Sequence, residues 1–351
     1  MYLIVETYIK YFFDIKFERE MFTLSDNGLI AIDWMIDHEG GIPRKHSNRP
    51  ILAVISGLSG GNDNYYLYSL MKEATKSGYK CVVINFRGAS GIPLTSPKIY
   101  WLNGWRDIQE PLESIHSKYC NDATGDYDKR NIYAYSVSLG AGMLTRYAIE
   151  SGDKCVLSGV ISYGLFLNIQ ANVPFFKSNL FTVYDKLLGM NFYMILSGHR
   201  EQLKEQCGEE YTEKLFEQLR QNKWSLMDMS EQVLAPLFGC KTLTQYYDET
   251  QCVGRLHRIK VPTLFFNSLD DPCVHESTHP YKELESNDMI MAVFTKHGGH
   301  CSHLTGNFIP TGWFSVLFLE YLDFLEKKNQ QKLQKGSSGK TTAASSIQLE
   351  K

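Results

Sequence analysis

Short apolar runs alternate along this chain with longer stretches in which apolar positions recur every three or four residues. Runs of about six apolar residues bounded by Gly, Pro, Asn or Ser are typical of buried strands. Six such runs follow one another: ILAVIS (51–56), CVVINF (81–86), NIYAYS (131–136), GVISYG (159–164), PTLFFN (262–267) and MIMAVF (289–294). The stretches around them predict helices over residues 65–77, 105–119, 139–150, 276–285 and 313–327.

This alternation predicts an α/β fold with a mostly parallel sheet of about eight strands. Strands that are apolar on both faces need helices on both sides of the sheet. The segment FTLSDNGLIAIDWMID (22–37) supplies two further, half-buried strands, because Asp26-Asn27-Gly28 is a hairpin turn sequence. We expect this antiparallel pair at one edge of the sheet.

The alternation of strands and helices is interrupted over residues 165–258. This interval contains no convincing strand, and its helices are rich in Phe, Tyr and Met. We interpret it as a helical cap inserted into a single domain that spans residues 20–328. Residues 1–19 are then an N-terminal segment. Residues 329–351 are mostly Lys, Gln, Ser and Thr with almost nothing to bury, so we predict a disordered tail.

Composition narrows the function classes. Hydrophobic residues make up 43% of the chain, charged residues 21%, and the formal net charge is −3 without a basic block in the folded part. This charge pattern does not favour nucleic acid as a binding partner. The eight cysteines are scattered without a C-x-x-C pair. This argues against a zinc site and a disulfide scaffold, and favours an intracellular compartment.

The sequence predicts no membrane span. The apolar N-terminus is interrupted by Glu6, Lys10 and Asp14 and lacks the features of a signal peptide. The longest uncharged apolar run elsewhere, LLGMNFYMILSG (187–198), has about half the length that a bilayer crossing needs. We expect a cytoplasmic or membrane-associated protein, and peripheral contact with a membrane is compatible with this pattern.

The candidate nucleophile lies in SVSLGAG (136–142), where a predicted strand runs directly into a predicted helix. A serine held on such a sharp turn needs small residues two positions before and after it. Ser138 has Ser136 and Gly140 at these positions, and Gly142 lets the helix lie close to the sheet. Ser136 is the competing nucleophile, but it still lies on the apolar strand.

A serine nucleophile needs a base and an acid that orients the base, and in this kind of sheet they follow later strands. Asp271 or the adjacent Asp270 follows PTLFFN, and we favour Asp271 because the loop has cleared the strand end there. After MIMAVF comes TKHGGHCSH (295–303). His300, behind a Gly-Gly pair, is the best base, whereas His297 and His303 fit better as solvated loop residues.

An ester-cleaving site also needs donors for the oxyanion. ISGLSGGND (55–63) follows the first parallel strand, and Gly57 lets the backbone approach closely. We expect the N–H groups of Leu58 and Leu139 to form the oxyanion hole. The glycines do not indicate phosphate binding, because the segment has neither the Lys-Ser/Thr of a P-loop nor a G-x-G-x-x-G spacing.

Several segments together give a more specific resemblance: GLSGG (57–61), NFRGASGIPLTSPKIYW (85–101), SVSLGAG, APLFGCKTLTQYYDE (235–249), IKVPTLFFNSLDDP (259–272) and KHGGH (296–300). These segments resemble the α/β-hydrolase superfamily, in particular the abhydrolase-domain-containing branch, AB hydrolase 4, of esterases and phospholipases. The resemblance covers roughly residues 20 to 325, nearly the whole folded part. The resemblance implies a Ser138–Asp271–His300 triad.

Two departures from this branch stand out. Its members often begin with a membrane-spanning helix, which the sequence pattern does not predict here, and they commonly carry His before the oxyanion glycine, where this chain has Ser56. Arg87 in NFRG is open to two interpretations, a contact with an anionic head group or, as we favour, bracing of its own loop.

The expected function is a serine esterase or lipase that acts on lipid or small ester substrates without a metal or organic cofactor. The apolar cap would line an acyl-chain cleft, or would simply pack on the sheet. Two different functions remain open: a non-catalytic lipid- or small-molecule-binding protein with the same fold, and an acyltransferase that uses the same site. The sequence does not distinguish acylglycerol, phospholipid and small soluble ester as substrates.

Overall fold

A computed structural model describes residues 15–344 except 45–46, 59, 63, 121–129, 179–180, 223 and 306–310. The first fourteen and last seven residues lie outside the described residues, and so do the predictions made for them. The largest sheet has eight strands: β1 Phe17–Thr23, β2 Leu29–Met35, β3 Ile51–Ile55, β4 Lys80–Asn85, β5 Ile132–Val137, β6 Gly159–Tyr163, β7 Thr263–Ser268 and β8 Ile290–Thr295.

The strand order is β1-β2-β4-β3-β5-β6-β7-β8. Strands β3 to β8 pair in parallel, and β1 and β2 form the antiparallel hairpin predicted at one edge. The α/β class, the mostly parallel sheet and all six predicted central strands are thus confirmed. The sheet already begins at Phe17, three residues before the predicted domain boundary, and β2 is almost fully buried rather than half-buried.

The described helices are α1 Tyr65–Lys76, α2 Arg106–Ile115, α3 Ser138–Ser151, α4 Ile169–Phe176, α5 Phe181–Gly198, α6 Arg200–Cys207, α7 Glu209–Gln221, α8 Leu226–Met229, α9 Ala235–Leu237, α10 Leu243–Thr250, α11 Tyr281–Glu285 and α12 Phe314–Ala344. A short pair, β9 Leu304–Thr305 and β10 Thr311–Gly312, forms a second sheet. None of the described helices is both long and apolar enough to cross a membrane.

Alternate residues of each central strand pack on opposite sides of the sheet. On β3, Ile51, Ala53 and Ile55 belong to one core cluster, and Leu52 and Val54 belong to the other. The first cluster includes α2, α3 and the cap helices, and the second includes α1 and α12. Both faces of the parallel sheet are therefore covered, as continuous apolar strands require.

Helices α4 to α10 all lie between β6 and β7, and the described residues of this interval contain no strand. This is the interval that the sequence marks as a cap. The carboxyl ends of β5, β7 and β8 point the same way, because the strands are parallel. The loops that follow these three strands consequently meet at one edge of the sheet.

Two predicted helices differ in the structure. The helix expected over residues 276–285 is reduced to α11, preceded by a 3₁₀ turn over Glu276–Thr278. Pro280 explains the break, because the residue before a proline is disfavoured in helical conformation. Helix α12 continues to Ala344, into the tail predicted to be disordered.

Arg87 is buried and braces the loop that follows β4. Its Nε and Nη2 donate to the two carboxylate oxygens of Asp107 at 2.7 and 2.6 Å, and Nη1 donates to Ser96 Oγ at 2.8 Å. A second carboxylate, Asp26, lies 3.2 Å from Nη1. These contacts agree with the interpretation that Arg87 braces its own loop. They connect the hairpin turn and α2 to that loop.

We expect Asp107→Ala to lower the free energy of unfolding by about 3 kcal/mol, because it leaves a buried guanidinium without its two-point partner. Urea unfolding followed by circular dichroism measures the change. Asp153→Ala, which removes an exposed carboxylate, is the matched control and should change stability by less than about 0.5 kcal/mol. Equal stability of the two variants would contradict the bracing role.

Candidate active site

The turn between β5 and α3 holds Ser138 in an unusual conformation. The strand ends at Val137, the helix begins at Ser138, and Ser138 has a φ of 52°, in the left-handed region that costs a non-glycine residue about 1–2 kcal/mol. A Cβ at Gly140 would lie 2.2 Å from the carbonyl oxygen of Ser56. Only glycine therefore allows α3 to lie so close to β3 immediately after the turn.

Ser138, His300 and Asp271 form one row of hydrogen bonds. Nε2 of His300 lies 2.8 Å from Oγ of Ser138, and Nδ1 lies 2.8 Å from Oδ2 of Asp271. The other oxygen of Asp271 accepts the backbone N–H groups of Cys273 and Val274 at 2.7 and 3.2 Å. The loop itself thus fixes the direction in which this buried carboxylate points.

The electrostatics of the row favour a proton on His300. Burial disfavours the charged imidazole, but the negative charge of Asp271 and its hydrogen bond outweigh burial, so the pKa of His300 lies above the usual 6.5. With its Nδ1 proton donated to Asp271, a neutral His300 presents Nε2 as an acceptor to the hydroxyl of Ser138. This is the tautomer that a base acting on Ser138 needs.

Asp270 and His297, the second candidates for the acid and the base, contact each other rather than Ser138. Asp270 accepts the backbone N–H of Gly299 at 2.8 Å and lies 3.2 Å from Nδ1 of His297. The side chain of His297 is 87% exposed. This pair holds the loop that carries His300 from its outer side.

His303 and Ser136, the remaining candidates for the base and the nucleophile, are buried and used in packing. Both nitrogens of His303 are engaged, Nδ1 with the hydroxyl of Tyr163 at 2.5 Å and Nε2 with Thr295 Oγ1 at 2.7 Å. This residue is thus a buried loop anchor, and the prediction of a solvated residue is wrong for it. Ser136 is fully buried, and its hydroxyl donates to the carbonyl of Ile161 at 3.3 Å.

Leu58 and Leu139 border the same cavity as Ser138. Leu139 lies in the first turn of α3, where backbone N–H groups have no acceptor within the helix. The hydroxyl of Ser56, just before Gly57, is buried and has no hydrogen-bond partner among the described residues. Ser59 and Asp63 of that loop lie outside the described residues.

The cavity above Ser138 has a volume of about 270 Å³. The cap contributes one wall through α4, α5 and α8, and the loop after β4 contributes another through Trp101 and Leu102. Its apolar lining suits a flexible hydrocarbon ligand. The apolar side chains from the cap side are Phe166, Ile169, Phe176, Leu188, Leu226 and Met227.

One group of side chains has the composition of a metal site. Asp271, Cys273 and His300 offer ligand atoms within 4.8 Å of one another. Burial raises the pKa of the Cys273 thiol well above its usual range, whereas zinc binds the thiolate. Because the carboxylate and the imidazole are already hydrogen-bonded to each other, the donor set fits a hydrogen-bonded pair better than a metal centre.

Two residues of the site escape sequence patterns. Cys301 follows His300 with a φ of 59°, and its thiol lies 3.7 Å from the carbonyl of Tyr163 and borders the cavity. Asn172, on α4, is buried and hydrogen-bonded to the Asp271 loop. Cys301 directly follows the KHGGH segment, whereas Asn172 lies in no motif.

Comparisons with known proteins agree with this fold. The chain is 29% identical over 342 residues to the embryogenesis-associated protein EMB8 of Picea glauca, covering 93% of this chain and 71% of that protein. It is 25% identical to phospholipase ABHD3 of Mus musculus, covering 83% and 67%, and 27% identical to human monoacylglycerol lipase ABHD2, covering 81% and 67%. No family model matches the chain.

The esterase Pf2001 of Pyrococcus furiosus has a similar structure, with a TM-score of 0.51 at 11% identity over 91% of this chain and 92% of that one. At this identity the likeness concerns the fold alone. Together with the sequence relatives and the eight-stranded sheet, it leads to one assignment. The chain has the α/β-hydrolase fold, and its sequence is similar to those of EMB8, phospholipase ABHD3 and monoacylglycerol lipase ABHD2, in agreement with the resemblance of its motifs to the AB hydrolase 4 branch.

Proposed function

We propose that this protein is a serine hydrolase that cleaves carboxylic esters of lipids, with Ser138 as nucleophile, His300 as general base and Asp271 as the acid that orients His300. The observation that carries the proposal is the continuous row of two 2.8 Å hydrogen bonds from Asp271 to Ser138. A hydroxyl is a weak nucleophile at neutral pH, and this row is the arrangement that activates it.

In the first half-reaction, Oγ of Ser138 attacks the ester carbonyl carbon while its proton moves to Nε2 of His300. The carbonyl oxygen becomes an anion that accepts hydrogen bonds from the backbone N–H groups of Leu58 and Leu139. His300, now an imidazolium beside Asp271, returns the proton to the departing alcohol oxygen as the C–O bond breaks. The acyl group is left on Ser138.

In the second half-reaction, His300 takes a proton from a water molecule, and the resulting hydroxide adds to the acyl carbonyl. The second tetrahedral intermediate uses the same oxyanion donors. His300 then protonates Oγ of Ser138 as the acyl bond breaks, which releases the carboxylic acid and regenerates the free serine. Asp271 keeps its negative charge throughout and stabilises the imidazolium.

Two observations support lipid esters as the substrates. The cavity next to Ser138 is lined mainly by apolar side chains, which suits an acyl chain. Two of the relatives are named as a phospholipase and a monoacylglycerol lipase. We assign the acyl group to the apolar cavity and leave the head group unassigned.

We also propose that the outer face of α5 contacts the membrane surface that holds the substrate. Four exposed apolar residues, Val183, Leu187, Met190 and Met194, follow one another at helical spacing on this face. The inner face of the same helix contributes Leu188 to the cavity. The protein would act inside the cell, which its eight unpaired cysteines support.

We expect Ser138→Ala to lower ester hydrolysis by at least about 10³-fold and to abolish labelling by a fluorophosphonate, because the nucleophile beside His300 is lost. Ser136→Ala is the matched control and should keep both activities, because its hydroxyl is bound to Ile161. Hydrolysis of p-nitrophenyl butyrate and in-gel labelling measure the effect. Labelling that persists in Ser138→Ala would move the nucleophile elsewhere.

The pH dependence of kcat/KM tests the roles of His300 and Asp271. The base must be neutral, so kcat/KM should fall as the pH drops through the pKa of His300, with a midpoint above 6.5. Asp271→Asn removes the charge that raises this pKa. Its residual activity should therefore show a midpoint at lower pH, together with a fall of kcat by about 10³ to 10⁴-fold. An unchanged midpoint would contradict the pairing.

Membrane contact is tested with the double substitution Leu187→Asp and Met190→Asp. Charged side chains do not enter the bilayer interface readily, so cosedimentation with phosphatidylcholine vesicles should fall while hydrolysis of a soluble ester stays within about twofold. Val316→Asp, which alters a 62% exposed apolar residue on α12, should sediment like the unmodified protein. Undiminished vesicle binding of the double variant would contradict contact through α5.

A further inference from the structure

Helix α4 of the cap holds the loop that carries Asp271. The side chain of Asn172 is buried, with only 3% of the residue exposed. Its Nδ2 donates to the carbonyl of Cys273 at 2.7 Å, and its Oδ1 accepts the backbone N–H of His275 at 2.9 Å. One amide group thus grips the loop on both sides of Val274.

The backbone segment that Asn172 binds is the same segment that orients the carboxylate of Asp271. The carboxylate of Asp271 accepts the N–H groups of Cys273 and Val274 through Oδ1, which leaves Oδ2 for His300. If this short segment shifts, the direction of the carboxylate shifts with it. Asn172 therefore contacts the loop that orients Asp271, not Asp271 itself, and it does so from a different part of the chain.

Two aromatic residues of α4 reinforce the contact. The ring of Phe175 stacks on the imidazole of His275 with centroids 3.8 Å apart and planes 8° apart. Phe176 packs with Cys273 and Val274 in a small buried cluster. Three residues in the last five of α4 are thus in contact with the loop that follows Asp271.

The same helix forms part of the cavity wall. Ile169, Asn172 and Phe176 border the space above Ser138. A ligand in this cavity therefore touches the helix that supports the acid. Helix α4 thus contacts both the cavity and the loop that follows Asp271.

We propose that Asn172 is a positioning residue, which from the cap fixes the loop that aims Asp271 at His300, so that the acid is aligned only while α4 is seated on that loop. The inference rests on the proposed function, because it assigns Asn172 an effect on the base of that reaction. Asn172 acts through Asp271 and needs no contact with the reacting atoms.

Further titratable groups surround the Asp271–His300 pair, but the charge of Asp271 is the one that raises the pKa of His300. Burial keeps the thiols of Cys273 and Cys301 and the phenol of Tyr163 neutral by raising their pKa values, and it lowers the pKa of His279 to about 4. The remaining groups near the pair are His275, Asp270, His297 and His303.

The test is the pH profile of Asn172→Ala. With the loop released, Asp271 should align less well with His300, so the midpoint of the acid limb of kcat/KM should fall by about half a pH unit. We expect kcat for p-nitrophenyl acetate to fall by about 10- to 100-fold, and KM to change by less than about threefold. This small ester leaves most of the cavity empty, so loss of an acyl-chain contact would not explain the fall.

Asn287→Ala is the matched control. Asn287 also bridges backbone segments, since it donates to the carbonyls of Leu256 and Ile259, but it does not border the cavity. It should keep the kcat and the pH midpoint of the unmodified protein. Phe175→Ala, which keeps both hydrogen bonds of Asn172, should shift the midpoint in the same direction by a smaller amount, and it serves if Asn172→Ala does not fold.

A fall of kcat without a shift of the midpoint in both α4 variants would overturn the positioning role, and so would unchanged kinetics. Failure of the proposed function has a different signature. In that case Ser138→Ala would still hydrolyse esters and react with the fluorophosphonate. Both outcomes are thus readable from the same set of purified variants.

Discussion

A serine with positive φ at the end of a central strand is the constraint on which the site depends. Ser138 adopts this conformation because β5 turns directly into α3, and Gly140 then lets α3 pass against the backbone of Ser56. A side chain at position 140 would push the helix away from β3. The hydroxyl of Ser138 and the first N–H groups of α3 would move with it, away from His300.

The parallel sheet explains why the three polar residues meet although 162 residues separate Ser138 from His300. The strands β5, β7 and β8 end at the same edge, so short loops from each reach a common point. The order of Ser, Asp and His along the chain follows from the order of these strands. The hydrogen bonds of Asp271 to its own loop then fix the direction of the carboxylate.

The sequence predicted the sheet well because buried parallel strands are apolar on both faces, a signal that needs no tertiary information. The error over residues 276–285 has a local cause, because Pro280 shortened that helix. The motifs placed Ser138 at a turn, but they left both Asp270 and Asp271 open as the acid, because adjacent residues differ only in loop geometry. Asn172 lay beyond prediction, since its partners are backbone atoms a hundred residues away. The bounds of the cap could be predicted from the sequence. The contacts of the cap with both the cavity and the loop that follows Asp271 could not.

The proposed chemistry requires that one particular hydroxyl carries the acyl group. Tandem mass spectrometry after fluorophosphonate treatment tests this directly, because trypsin releases residues 131–146 as one peptide that contains both Ser136 and Ser138. We predict a single adduct, localised to Ser138 by the fragment ions. An adduct on Ser136, on any other peptide, or none at all in active protein would contradict this role of Ser138.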